Sequence, residues 1–354
     1  VSIIKRSVTL ATRGVECLGA LRLIERLEPD RPDLLRILTY HRIADPASDP
    51  NLYPGLISTT PEGFDAQLAW LSRTHRVISL AELLEARRRG TPLPPRALLL
   101  TFDDAYHDFA ESAWPTLRRH GLPATLFVPT AFPDHPERLF WWDRLHHAFA
   151  ATQRREPLDS PLGELALGTA ALRSETFKRV RESVKQLTHD DAMAVADRIC
   201  IALGEQLDEH RVLGWDALRE LARQGVELAA HSQTHPLMNR IPPDRMRKEA
   251  TGSRQDLERE VGSCLPVFAY PSGGFDHRVV QALEAEGFEL AFTTRRGVND
   301  LRSEHPLCLR RIHVGMRTTR AMLRTQLLSA VGTLQRWWLP SDASIRAPSG
   351  ALQT

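Results

Sequence analysis

The sequence predicts an α/β barrel built on parallel strands, with a helical insertion and extra helices at both ends. Three observations point there. Apolar runs short enough to be buried strands alternate with amphipathic helical stretches from residue 34 to residue 316. The polar clusters Asp103-Asp104 and His231/His235 each stand where such a run ends, the end at which parallel barrels carry their chemistry. A chain of 354 residues holds one barrel, commonly about 250 residues, with attachments.

Residues 1–33 read as an amphipathic helix. Leu10, Val15, Leu18, Leu21, Leu23, Ile24 and Leu27 are interrupted by Arg13, Glu16, Arg22, Glu25 and Arg26, so no apolar run suits a signal-peptide core or a membrane span. Docking on the barrel is expected, with peripheral membrane contact as the alternative, and hence a cytoplasmic or membrane-peripheral protein. The chain begins on Val1, which leaves removal of a leader open.

The barrel, residues 34–316, starts with Leu34 to Ile43, an apolar strand ending in Tyr40-His41-Arg42. A lone strand-end histidine is usually a hydrogen-bonded surface residue. Pro46 to Thr60, rich in Asp, Ser and Pro, should loop over the mouth. A helix over 61–73, a short strand at Val77–Leu80 and a helix from Ala81 to Arg89, stopped at Gly90, lead into Leu98-Leu99-Leu100-Thr101-Phe102-Asp103-Asp104. A helix from Ala110 to His120 and the strand Ala124–Pro129 complete a β-α-β unit. Residues 133–212 turn to long helical stretches and form the insertion; its Trp141 and Trp142 suit core packing or stacking on a sugar face. Helix and strand then alternate again through Trp215–Gln224, Val226–Ala230, Met246–Val261, Pro266–Tyr270, Arg278–Glu286, Leu290–Thr294 and Arg310–Val314. Residues 317–354 carry an amphipathic helix reaching Trp337-Trp338 and a polar tail.

Charge and composition exclude some classes. Forty-six basic residues against 44 acidic ones leave little net charge, so nucleic acid is not expected as a partner. Neither a Walker P-loop nor a Rossmann fingerprint is present, which argues against nucleotide. Cys17, Cys200, Cys264 and Cys308 form no Cys-x-x-Cys pair; buried thiols are expected, not disulfides or a thiolate metal site.

Two carboxylates at the end of a core strand repel each other and lose hydration unless a cation or donors stabilise them. Neighbours on a strand face opposite ways, so one Asp can bind a metal while the other turns toward water or a basic partner. An isolated pair would read as a helix cap. His231-Ser232-Gln233-Thr234-His235 changes that, because two imidazoles and one carboxylate make a three-ligand site with an open position, the catalytic arrangement. Zinc suits these donors, and nickel or cobalt would accept the same set.

In order along the chain, Thr101-Phe102-Asp103-Asp104, His231-Ser232-Gln233-Thr234-His235 and Phe268-Ala269-Tyr270-Pro271-Ser272-Gly273-Gly274 resemble the motifs of polysaccharide deacetylases with the NodB homology domain, carbohydrate esterase family 4. The resemblance covers residues 35 to 315 and implies the distorted (β/α) barrel of this group, with about seven parallel strands. It assigns Asp104, His231 and His235 to a divalent metal, Asp103 to the general base, and the Ser272 amide to the oxyanion. Tyr40-His41-Arg42 is similar to the poly-N-acetylglucosamine deacetylase branch, which makes His41 the general acid, with His313 as its rival. Two departures stand out: Ala269 replaces an Arg that orients the catalytic Asp in many members, and Ser272 replaces an aromatic. The partner of Asp103 is therefore unassigned. The implied activity is removal of N-acetyl groups from an acetylated oligo- or polysaccharide, with release of acetate. Alternatives are an O-acetyl esterase or amidase on another glycan, or a weakly active or non-catalytic sugar-binding relative. Serine-hydrolase chemistry is disfavoured because Ser272 lies in no Gly-x-Ser-x-Gly elbow.

Overall fold

The computed structural model describes residues 20–28, 31–48, 52–204 and 212–329. Seven strands form the barrel wall: β1 (Leu34–Tyr40), β2 (Ala97–Asp103), β3 (Thr125–Val128), β4 (Glu227–Ala230), β5 (Val267–Ala269), β6 (Leu290–Phe292) and β7 (Ile312–His313). They pair in parallel in the order β6-β5-β4-β3-β2-β1-β7. Just before β7, Leu309 bridges Phe292 of β6, while Ile312 and His313 pair with Leu38 and Thr39 of β1. The segment from 309 to 314 thus closes the ring.

Both faces of these strands are buried, which explains why they read as continuous apolar runs and not as alternating ones. Leu35, Ile37, Leu99, Phe127, Ala229, Val267, Ala269, Leu290, Phe292 and Leu309 form one buried cluster, the filling of the barrel. The intervening Leu38, Leu98, Leu100, Phe102, Leu126, Leu228, Phe268 and Ile312 pack with Phe64, Leu68, Leu117, Leu218, Leu257 and Leu283 of the surrounding helices. The floor is the helix Leu80–Arg89, whose Leu80, Leu83 and Leu84 join the inner cluster. Ser79 and Glu82 form a capping box at its start, and Glu227, at the head of β4, accepts from the Leu80 and Ala81 amides at 2.7 Å. That end is sealed, and the site lies at the other.

Several boundaries differ from the sequence reading. Within the expected loop 46–60, Ile57–Thr59 is a strand paired in parallel with Arg42–Ile43. The expected strand at Val77–Leu80 is only Arg76–Val77, because Ser79 starts the helix. The insertion carries an antiparallel hairpin, Leu158–Ser160 with Gly163–Leu165, beside the helices Trp141–Ala151, Ala170–Val184 and His189–Ala202. Leu145, Phe149, Leu165, Phe177, Val180, Val184 and Ile199 give it a core of its own.

At the base, the helix Ala20–Arg26 is tied to the helix Arg320–Gln326 by a two-pronged Arg324–Glu25 pair, and Arg36 of β1 binds Glu28 at 2.7 Å. The contact is mainly ionic: of the apolar residues expected to dock, Leu21 is buried but Leu23, Ile24 and Leu27 are exposed. Residues 1–19 and 330–354, with Cys17 and the Trp337-Trp338 pair, lie outside the described residues. Cys264 and Cys308 are free thiols, and Cys200 is buried. Among the described residues no helix is long and apolar enough to cross a membrane.

Candidate metal centre and active site

Inner-face parity decides where Asp103 points. Leu99 belongs to the barrel filling and Thr101 bonds Thr39 of β1 across the strands at 3.2 Å, so Asp103, two residues on, also faces inward. There it meets Arg311, whose Nη1 and Nη2 donate to its two oxygens at 2.8 Å each, while Nε donates to the Thr293 carbonyl at 3.0 Å. Both side chains are buried. Burial works to raise the Asp103 carboxyl, but the Arg311 guanidinium, with His231 and His41, brings it below the usual carboxylate range. The guanidinium that sequence reasoning could not place therefore comes from the segment that closes the barrel. One signal could have found it: Arg311 and His313 flank the outward-facing Ile312, so both face inward, and a buried Arg implies a carboxylate partner.

Asp104 escapes strand alternation because its φ is 75°. The turn brings its Oδ1 to 3.4 Å from His231 Nε2 and 3.2 Å from His235 Nε2. One ligand atom from each of the three buried residues lies within 4.8 Å of the others. His231 Nδ1 is 2.8 Å from the Ala269 carbonyl, which can only accept, so this nitrogen carries a proton and Nε2 is the ring atom turned toward Asp104. Asp104 Oδ1 is buried and has no hydrogen-bond partner. A buried carboxylate oxygen facing two imidazole nitrogens is stabilised by a cation between them, and the converging carboxylate and imidazole donors fit a divalent metal. Burial would raise the Asp104 carboxyl, yet the adjacent His235, His231 and His41 hold it well below its ordinary range. Burial lowers His235, against the pull of Asp104.

Of the six non-glycine residues with positive φ among the described residues, five stand at this mouth: Asp104, Ala105, Ser232, His235 and Ser272. Local strain is concentrated at the ligands and their turns. His41, just past β1, has its Nε2 3.9 Å from Asp104 Oδ2, a buried Nδ1 without a partner, and its backbone N–H on Ser58 Oγ. His313 meets it edge to face, ring centres 5.4 Å apart, so both candidate acids are in the site. Burial and the neighbouring His41, Arg296 and Arg311 push the His313 imidazole down to about 3.

Ser272 is exposed in the turn Pro271–Gly273 after β5, at the same end of the barrel. The glycines of this turn allow close packing by protein and not only by a ligand: a Cβ on Gly273, whose φ is 71°, would lie 2.0 Å from Thr294 Oγ1, and one on Gly274 would meet Leu237 at 2.7 Å. Trp142 is core, with Nε1 donating to Tyr106 Oη at 2.9 Å and Tyr106 donating to Asp143 at 2.8 Å. Its ring also stands 4.8 Å from that of His235, so the insertion walls the metal candidate. Trp141 is half-buried against Trp142.

Fold and site together define a parallel (β/α) barrel that gathers a candidate Asp-His-His metal triad at its open end. Residues 90–151 and 178–291 match the family described as polysaccharide deacetylase. The chain belongs to this family, in its NodB, carbohydrate esterase 4 form. It is 33% identical over 138 residues to an Escherichia coli poly-beta-1,6-N-acetyl-D-glucosamine N-deacetylase; the match takes in 37% of this chain and 20% of that protein. The chain thus spans about a fifth of that relative's length. A Streptococcus pyogenes deacetylase, PplD, solved with acetate, aligns with TM-score 0.56 at 19% identity over 83% of this chain and 98% of its own. IcaB from Ammonifex degensii aligns with TM-score 0.53 at 18% identity over 85% and 98%. These two similarities bear out the barrel.

Proposed function

We propose that this protein is a metal-dependent hydrolase that removes N-acetyl groups from an amino-sugar glycan. The observation that carries this reading is the triad Asp104, His231 and His235, with Asp103 beside it in a two-pronged bond to Arg311. A divalent ion held by the triad, zinc by its donor set with nickel or cobalt as substitutes, would acidify a water molecule and polarise the acetyl carbonyl.

The chain's own residues do the rest. Asp103 stays ionised at neutral pH, and a carboxylate engaged by one guanidinium keeps lone pairs free, so it accepts the proton of the attacking water. The Ser272 amide donates to the developing oxyanion. Protonated His41 delivers a proton to the departing nitrogen, which leaves as a free amine while acetate forms. His313, its ring centre 5.4 Å from that of His41, is the neighbour of the acid in this division.

The first substrate to test is the one in the Escherichia coli relative's name, poly-β-1,6-N-acetyl-D-glucosamine. Zinc-loaded protein should release acetate and free amino groups from it in equal amounts. Asp103→Asn should keep its metal and lose at least about a hundredfold in turnover. Acetate without new amines from an O-acetylated glycan would move the assignment to an esterase. Absence of acetate across acetylated glycans would leave only a sugar-binding role.

A further inference from the structure

The turn between the two histidine ligands is held largely from outside: its Ser232 and Gln233 carbonyls accept from the Thr130 and Ala131 N–H at 3.1 and 3.0 Å. Ser232 and His235 both adopt left-handed backbone, with φ of 62° and 55°. The donors facing away from the ligands converge on one side chain. Glu249, on the helix Pro243–Val261, is buried; its Oε2 accepts from the backbone N–H of Gln233 at 2.9 Å and of Thr234 at 2.8 Å, and its Oε1 accepts from Thr234 Oγ1 at 2.6 Å. Asp256, two turns along the same helix, accepts from Gln233 Nε2 at 2.8 Å and from Thr130 Oγ1 at 2.7 Å. The helix admits the turn at Gly252, where a Cβ would lie 2.5 Å from the Gln233 side chain. Arg245, one helical turn before Glu249, reaches Asp190 of the insertion at 2.8 Å.

We propose that Glu249 is a positioning residue for the metal centre: by holding the Gln233 and Thr234 amides and the Thr234 hydroxyl, its carboxylate fixes the strained turn that aims His235 at Asp104. The inference rests on the triad being a metal site. In its physical logic Glu249 acts on the backbone of a ligand turn as second partners act on ligand side chains, by removing alternative geometries before the ion arrives. A buried carboxylate with three charge-assisted bonds is a stiffer support than the turn's own single internal bond, His235 N–H to Ser232 Oγ at 3.0 Å.

The test is cobalt binding by the full chain, stripped with a chelator and titrated with cobalt(II) while its visible absorption is followed, with the unfolding midpoint of each metal-free protein measured alongside. Wild type should bind one cobalt ion. Glu249→Leu, which strands all three donors, should bind about ten- to a hundredfold more weakly in its folded metal-free form and give an altered cobalt spectrum. Glu249→Gln can still accept from both amides and donate to the Thr234 hydroxyl, so it should recover at least half of that loss on a logarithmic scale. Thr234→Val removes one bond and should weaken binding by about threefold or more with little change in the metal-free midpoint; with Glu249→Gln it keeps the test decisive should the Leu variant fail to fold. Cobalt affinities within about twofold of wild type in Thr234→Val and in a folded Glu249→Leu, or equal weakening by Gln and Leu, would overturn the proposal while leaving the metal site intact. Failure of wild type to bind cobalt would overturn both.

Discussion

Replacing Arg311 by methionine keeps much of the side chain's length and removes the charge bonded to both oxygens of Asp103. Removing one member of a buried ion pair costs about 3–5 kcal/mol, because the other charge is left without compensation. For a chain of this length, at roughly 1.3 °C per kcal/mol, this is a fall of about 4–7 °C in the melting midpoint. The pH dependence has a definite sign. In the wild type the lowered Asp103 carboxyl contributes stability above its unfolded value that is lost as pH falls through the folded one. In the variant, burial unopposed by Arg311 raises the carboxyl, and a raised group contributes stability below its unfolded value that is lost as pH rises. Both effects make the deficit largest at neutral pH and smaller on acidification. The double variant Asp103→Leu/Arg311→Met should recover most of the loss, since exchanging a buried pair for apolar groups is often neutral. The assay is urea unfolding of wild type, Arg311→Met, Asp103→Leu and the double variant between about pH 3 and 8. A single-variant loss below about 1 kcal/mol at pH 7, or a double variant no more stable than Arg311→Met, would refute the pairing as the support of Asp103.

His75, far from the mouth and beside Arg36 and Arg96, is held at about 3 by burial and by those two charges, against an ordinary 6.5. Because the folded state disfavours its charged form, stability is lost as pH falls below 6.5, by about 2 kcal/mol at pH 5. His75→Phe should lose that much less than wild type between pH 8 and pH 5; equal acid sensitivity in both would contradict it. His41→Ala should lower turnover by about 10²–10⁴-fold with metal affinity within a few fold of wild type, and His313→Ala should cost far less. A larger effect at His313 would reverse their roles.

The triad and the barrel were legible in the sequence for the same reason: each functional cluster ends an apolar run, and a run of seven buried residues such as Ala97–Asp103 cannot end in carboxylates without a compensating partner. Arg311 was harder, because its partner is 208 positions away and only the closure of the ring brings them together. Trp142 pointed both ways: an aromatic in an amphipathic helix suits core or ligand, and here it packs in the core with an edge on His235. Glu249 gave no local signal at all. On a charged helix it reads as a solvated face, and its burial against the His231–His235 turn is set by how that helix lies across β4. The hairpin in the insertion was invisible for a further reason: Leu158-Asp159-Ser160 is too short and too polar to show strand alternation.

Everything proposed for this chain depends on an ion between Asp104, His231 and His235, and anomalous X-ray diffraction at the zinc edge from crystals grown with zinc measures that directly. One strong peak at the barrel mouth is expected, about 2.0–2.2 Å from a carboxylate oxygen of Asp104 and from Nε2 of both imidazoles. A peak elsewhere, or an electron density that leaves these three side chains bonded only to one another at saturating zinc, would contradict the account.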